Sequence, residues 1–417
     1  MYEVKCDVAI IGGGPAGLSA AVAAKKEGAG KVLVIERDDS IGGILQQCIH
    51  PGFGLSYFNK ELTGPEYAGR FAKEALELGT EVLFQSMVLE VSSGTNEIIC
   101  INSEYGMTRV SAKSIILAMG CRERTRANIQ IPGTRPAGIY TAGSAQRLVN
   151  RQNTMVGKNV VILGSGDIGM IMARRMSLEG AKVLAVVEIM DYLAGLTRNK
   201  VQCLDDFNIP LKLSHTITRI VGNERVEGVY VAQVDENRKP LKETEEYIGC
   251  DTLLLSVGLI PENELTRKAD ISMSGITNGP EVNQYMQTSV PSVFACGNVV
   301  HVNDLVDNVT VESMLAGKYA ALYAAGKLDQ NKEVGTVTGN NVRYLCPQRL
   351  MTGTDEKAKL FFRVLAPDTG VRIVAKCNGK VIASKKELRV NPGEMCNIQI
   401  PLAEVEEDVV VEVIKEA

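Results

Sequence analysis

Val8-Ala9-Ile10-Ile11-Gly12-Gly13-Gly14-Pro15-Ala16-Gly17 is the stretch that decides the fold. Its apolar, β-branched opening predicts a buried strand, the glycines at 12, 14 and 17 a tight turn, and the alanine-rich run to Lys26 a helix. A second apolar run, Val32-Leu33-Val34-Ile35, ends on Glu36 and completes a βαβ unit. A helix that starts at such a turn presents unpaired N–H groups and partial positive charge to a pyrophosphate. Gly14 removes the side chain that would block approach, and Gly17 lets the helix pack on the strand. Glu36, 19 residues beyond Gly17, can accept hydrogen bonds from a ribose hydroxyl pair.

The same grammar recurs about 150 residues later. Asn159-Val160-Val161-Ile162-Leu163 leads into Gly164-Ser165-Gly166-Asp167-Ile168-Gly169, a helix through Glu179, and a strand from Val183 to Val187 that ends at Glu188. Two complete fingerprints predict two nucleotide-binding units and a recurrence on the scale of domains. An acid at position 188 suits an unmodified 2′-hydroxyl and repels a 2′-phosphate, which favours NAD over NADP. Arg174 and Arg175 are expected on the outer face of the helix.

Between the fingerprints, Glu81-Val82-Leu83-Phe84 and Ile98-Ile99-Cys100-Ile101 read as antiparallel strands inserted into the first unit. Three buried strands, at 114–119, 252–257 and 292–296, each stop at a glycine, and a helical run from Val309 to Ala325 follows the last. After Gly326 a polar connector, Lys327 to Asn341, leads into short alternating strands with turns at Pro367-Asp368-Thr369-Gly370, Asn378-Gly379 and Asn391-Pro392-Gly393. That region reads as a separate β-sandwich-like module, either an interaction or oligomerisation surface or a stabilising appendage, whose removal should leave the rest intact. The expected fold class is α/β: two Rossmann-like three-layer domains, one at 1–140 and 265–330 and the other inserted at 141–264, plus a small all-β module at 342–417.

Composition narrows the function. The 417 residues are 45% hydrophobic, and 45 Lys+Arg against 49 Asp+Glu leave a formal charge of −4 with both signs scattered. Nothing there forms a footprint for nucleic acid or an anionic membrane. No apolar run approaches the roughly 18 residues that span a bilayer, and the chain enters a strand directly, so a cytoplasmic protein without a transmembrane segment is expected. Ten cysteines lie no closer than 19 residues apart, beside only three histidines, so no local metal site is expected.

With these motifs the chain resembles the two-dinucleotide-binding-domain flavoproteins of the pyridine nucleotide-disulfide reductase type. The resemblance spans about residues 5–328 and also rests on Ile41-Gly42-Gly43, Ala118-Met119-Gly120, Val257-Gly258 and Val290-Pro291-Ser292-Val293-Phe294-Ala295-Cys296-Gly297-Asn298. It implies FAD on the first fingerprint, touching Gly12, Gly14, Pro15, Ala16, Gly17, Glu36 and Arg37. Gly42, Gly43, Val88, Ala118, Gly120, Gly297, Asn298 and Thr310 complete that implied site. It implies NAD(H) on the second fingerprint, at Gly164, Gly166, Asp167, Ile168, Glu188 and Gly258. The helix that begins near Val309 would aim its N-terminal dipole at the flavin pyrimidine.

Two departures stand out. Asn298 follows Gly297 where the family carries aspartate, and the paired cysteines beyond Gly-Gly are missing, with Leu45 and His50 in their places. Dithiol chemistry of the usual form is therefore excluded. His50 could supply protons beside the flavin or simply bond a backbone carbonyl in its Pro/Gly-rich loop. Cys48 and Cys121 could meet across the flavin or be inert buried thiols. His301 and Asp304 could contact substrate or partner, or lie in a solvated loop.

The stretch from Gly42 to Leu55, with Met119-Gly120-Cys121-Arg122-Glu123-Arg124, is similar to a narrower set: the FAD- and NAD-linked subunits of opine, proline and hydrogen-cyanide-forming dehydrogenases, and the companion oxidoreductase of bacterial glycerol-3-phosphate dehydrogenase. That likeness implies a second flavoprotein subunit as partner, in a possible homo-oligomer of heteromers. The alternatives are a stand-alone NADH oxidase or peroxidase working through Cys48, and a flavin-binding structural subunit.

Overall fold

In the computed structural model, which describes residues 1–328 and 332–415, the Val8–Ile11 run is the inner end of the strand Tyr2–Ile11. That strand sits between two parallel neighbours, Ile10 pairing with Val34 on one side and Ile116 on the other. The seven-stranded sheet continues through Glu81–Leu83 at one edge, gains Val293–Ala295 against Gly106–Leu117, and ends in the antiparallel strands Glu97–Asn102 and Ser86–Ser92. Strands covered on both faces read as continuous apolar runs, and Val8, Ile10, Val32 and Ile116 are fully buried.

Glu81–Leu83 corrects the expectation of an antiparallel strand: it pairs in parallel with Val32–Ile35. The helix Gly64–Glu77, started by a capping box of Thr63 and Glu66, carries the chain back to the same end of the sheet, as a βαβ crossover requires. The fingerprint helix Pro15–Lys26 packs against the long helix Val306–Ala324 at small residues, where a Cβ on Gly317 would lie 2.1 Å from the Ala20 carbonyl oxygen.

The chain divides into two compact units, Met1–Cys121 with Pro261–Ala417, and Arg122–Ile260. The crossings fall at 121/122 and 260/261 and not at the expected 140/141 and 264/265. Strand Ile139–Thr141 pairs in parallel with Thr252–Leu255 and so belongs to the second unit's sheet. That sheet runs Ile139–Thr141, Thr252–Leu255, Asn159–Leu163, Lys182–Val187, Leu211–Lys212, all parallel, beside an antiparallel ribbon of His215–Val221, Gly228–Gln233 and Glu246–Gly249.

The connector expected over Lys327–Asn341 includes residues 329–331, outside the described residues, but Glu333–Thr338 is a strand paired with Arg349–Met351 and Val409–Lys415. Two sheets follow, one of five strands and one of three, enclosing a core that includes Leu360, Phe362, Ile373 and Val411. The module is not packed as separately as expected, because its Tyr344, Cys346 and Met351 join the core of the nucleotide-binding fold. The backbone N–H groups of Gln348 and Arg349 donate to the Val282 carbonyl at 3.0 and 3.2 Å, and the Gln284 amide bonds Met351 N–H and C=O at 2.8 and 3.1 Å. No helix among the described residues is long and apolar enough to cross a membrane.

Candidate functional site

In the first unit, the glycine turn is shaped by close approach. A Cβ on Gly17 would stand 1.8 Å from the Gly12 carbonyl oxygen, and one on Gly12 would stand 2.5 Å from that of Ala118. Gly14 differs: a Cβ there meets nothing closer than Gly43 Cα at 3.9 Å, so its face is open. It sits at the N-cap of Pro15–Lys26 in extended conformation, with Pro15 at the start of the first turn, where a missing N–H costs nothing. Gly42 N–H donates to the Gly13 carbonyl at 2.7 Å, which lays the second glycine loop on the first. The Glu36 carboxylate, buried at the strand end, accepts from Gly13 N–H at 2.7 Å and Asp38 N–H at 2.9 Å. A carboxylate has about four acceptor sites, so two remain for hydroxyls.

The later strand ends converge on the same turn. A Cβ on Gly297 would lie 3.0 Å from the Ala16 side chain and from Val309, next to the buried Thr310, whose hydroxyl is 2.7 Å from that of Tyr67. Asn298 Oδ1 accepts from Asn303 N–H at 2.9 Å, which fixes the amide so that Nδ2 faces Cys121 Sγ at 3.6 Å. Gly120, with φ of +73°, leaves open space where a side chain would be. Two of the expected residues are not gathered in: Arg37 is exposed beyond the strand end, and Val88 is a core side chain opposite Cys100.

Two residues missed at the sequence level complete this region. Asn303 Oδ1 and Asp307 Oδ1, flanking the start of Val306–Ala324, are buried acceptors with no hydrogen-bond partner among the described residues. An unmet buried acceptor costs about 1–3 kcal/mol, so this corner fits a molecule bearing N–H or O–H donors, which the flavin ring and ribityl chain carry. A polar pair four residues apart at a helix start was the available signal.

Cys48 lies at the end of the short 3-10 turn Gly43–Gln47, with Sγ 3.3 Å from the Ile44 carbonyl, and burial pushes its thiol up to about 12. At neutral pH it is therefore a neutral thiol, unsuited to nucleophilic chemistry. His50 is half-buried, its ring 5.1 Å from that of Phe53. His301 and Asp304 do not lie in a solvated loop. His301 is 1% exposed and pairs with Glu312 at 2.6 Å; burial would lower its pKa, but the Cys346 thiol and the Glu312 carboxylate beside it raise it well above the usual value. Asp304 pairs with Arg363 of the β module.

In the second unit, a Cβ on Gly164 would meet the Ser256 carbonyl oxygen at 2.1 Å, and one on Gly169 the Ser256 side chain at 2.7 Å. Gly166 is the N-cap of Asp167–Leu178, and Ile168 lies partly buried in its first turn. Glu188 repeats the behaviour of Glu36: it accepts from Ser165 N–H at 2.8 Å, Ser165 hydroxyl at 2.7 Å and Met190 N–H at 2.9 Å. Asp167 turns away from the glycine loop, accepting from Leu196 N–H and the Asn199 amide at 2.8 and 2.7 Å. Gly258 is exposed, and its carbonyl accepts from Arg124 N–H at 3.0 Å. Arg175 pairs with Glu179 at 2.6 Å, and Arg174 lies over the Phe207 ring, so neither is presented beside Glu188 by these contacts.

Comparison with known proteins gives the same picture. The chain is 26% identical to hydrogen cyanide synthase subunit HcnB of Pseudomonas protegens over 75% of its own length and 69% of that protein's. It is also 26% identical to an NADH oxidase of Methanocaldococcus jannaschii over 76% and 68% of the two chains. Thioredoxin reductase of T. acidophilum shares the fold, with a TM-score of 0.62 at 24% identity over 77% of this chain and 98% of that one. The family model described as pyridine nucleotide-disulphide oxidoreductase matches residues 6–327. That match covers more than half of the chain, which therefore belongs to the pyridine nucleotide-disulphide oxidoreductases and is an FAD- and NAD(P)H-dependent oxidoreductase.

Proposed function

We propose that this protein is the electron-transfer subunit of a multi-subunit flavoprotein dehydrogenase of the glycerol-3-phosphate, proline or opine type, exchanging electrons between a partner's substrate and NAD(H). The observation that carries the reading is the redox position. The segment from Gly43 to His50 holds one cysteine, half-buried and with its thiol held neutral, so a self-contained dithiol acceptor is missing where the fold would carry it. The same observation weighs against a stand-alone NADH oxidase or peroxidase that works through Cys48. The similarity to a hydrogen cyanide synthase subunit supports a partnered role.

In this reading FAD binds the first unit and NAD(H) the second. The chemistry FAD would supply there is two-electron transfer between the partner's flavin and NAD(H), in either direction. Gly12, Gly14 and the N-terminus of Pro15–Lys26 would hold its pyrophosphate, and Glu36 would take its ribose hydroxyls. The start of Val306–Ala324 would stabilise negative charge near Thr310. Gly164, Gly166 and Gly258 would admit the nicotinamide nucleotide, and Glu188 would select its unmodified ribose. His50, on the redox-side loop, is the candidate for moving a proton. The test is affinity purification of the tagged chain from its own cells. A co-purifying second flavoprotein that oxidises a small substrate and reduces NAD only together with this chain supports the reading. Turnover of a physiological substrate by the chain alone at ordinary enzymatic rates rejects it.

A further inference from the structure

The β module reaches into the flavin-side loop, and the contact is built from a largely buried ion pair. Arg363, on the strand Lys357–Val364, pairs with Asp304 and also donates to the Val302 carbonyl at 3.2 Å, while its other amino group donates to Pro392 C=O at 3.2 Å. The second Asp304 oxygen accepts from Met395 N–H at 2.6 Å. The side chains of this ion pair are only 15% and 12% exposed. One guanidinium thus ties loop 302–304 to two elements of the module at once, with the fork geometry that arginine has and lysine lacks.

The loop it holds leads directly to the closing motif. Asn303, between the two anchored residues, donates its backbone N–H to Asn298 Oδ1 at 2.9 Å. Its side-chain amide donates to Glu312 Oε2 at 3.3 Å, and Glu312 Oε1 is held by His301 at 2.6 Å. The other face of His301 meets the Tyr344 hydroxyl at 3.4 Å, again from the module. We propose that the β module is a positioning element of the flavin site, with Arg363 as the positioning residue that holds loop 302–304 and, through Asn303, the orientation of Asn298. The inference rests on the reading of Gly297-Asn298 as part of the FAD site.

The experiment uses full-length protein with FAD and the variants Arg363→Ala, Arg363→Lys, Asp304→Ala and the alanine pair, with Asn298→Ala as a test of the underlying reading and Leu388→Ser, on the module's exposed face, as a control. The readouts are the FAD dissociation constant, the flavin midpoint potential and thermal stability. The expected result is a rise in the FAD dissociation constant of at least about tenfold for Arg363→Ala and Asp304→Ala, with the double variant no worse than the worse single one. A tenfold difference between the holding of oxidised and reduced flavin moves a two-electron potential by about 30 mV, and Arg363→Lys should recover part of both effects. If Arg363→Ala fails to fold, the lysine variant, folded and milder, carries the same readouts. The proposal is overturned if the Arg363 variants lose thermal stability yet bind FAD and poise the flavin as wild type does. If Asn298→Ala leaves FAD binding unchanged, the reading of the closing motif falls and the inference with it; if Asn298→Ala weakens FAD and the Arg363 variants do not, the inference alone falls.

Discussion

Adding one methyl group at Gly14 and the same group at Gly17 should have opposite consequences. At Gly17 an alanine Cβ would stand 1.8 Å from the Gly12 carbonyl oxygen and 3.3 Å from Cγ2 of the core residue Ile10. Ordinary contact needs about 3.5–4.0 Å, so the helix would have to leave the strand by well over an ångström, and forced overpacking of this kind costs about 1–3 kcal/mol or more. At Gly14 the nearest atom is Gly43 Cα at 3.9 Å, so the protein alone has room. The folding cost of Gly14→Ala is then the N-cap preference, about 1 kcal/mol, or roughly 2–4 °C in Tm. If the open face of Gly14 is where the pyrophosphate approaches, the methyl should cost about 2–3 kcal/mol of binding, on the order of 50-fold in the FAD dissociation constant. Thermal unfolding of both variants and fluorescence titration of FAD into the apoproteins would measure this. Gly14→Ala with wild-type FAD affinity would refute the placement of the cofactor, and Gly17→Ala with wild-type stability would refute the packing account.

On the proposed reading, in which Glu188 would face a 2′-phosphate, NADH should outperform NADPH in catalytic efficiency; parity or a preference for NADPH, read from steady-state kinetics, would show the acid is overridden. Truncation after Ala325 should abolish FAD binding or solubility, since it exposes the core that Tyr344, Cys346 and Met351 cover; a folded, yellow truncated protein by absorbance and circular dichroism would contradict this. Stability should fall as the pH rises above about 9. Burial holds the thiols of Cys6, Cys48 and Cys296 at about 12 against 9.0 when unfolded, so the unfolded state alone loses protons in that window. Denaturant midpoints that stay flat from pH 8 to pH 10.5 would count against those thiols being held neutral in the folded protein.

Most of the nucleotide-binding framework was legible because its signals are local: a strand, a glycine turn, a helix and an acid within about 30 residues. The placing of Glu36 and Glu188 at the strand ends could be named from spacing, although their bonds to the backbone of the glycine turns could not. Asp167 was named because it lies inside the second fingerprint; that its carboxylate bonds a loop 29 residues on was not legible. Glu81–Leu83 was misread because a strand's direction depends on the route of the chain before it. The connector was misread because Glu333–Thr338 pairs with Val409–Lys415, a partner no local pattern announces. Asp304 and Arg363 are 59 residues apart, and the burial that makes their pairing matter exists only once the module has docked.

Anaerobic titration of the FAD-loaded protein with NADH, followed by flavin absorbance and by thiol counting, addresses the central claim most directly. One equivalent of NADH should bleach one flavin, with no new reactive thiols at the end point. Two equivalents consumed per flavin, with two additional thiols exposed, would reveal a disulfide acceptor and contradict an electron-transfer role without dithiol chemistry.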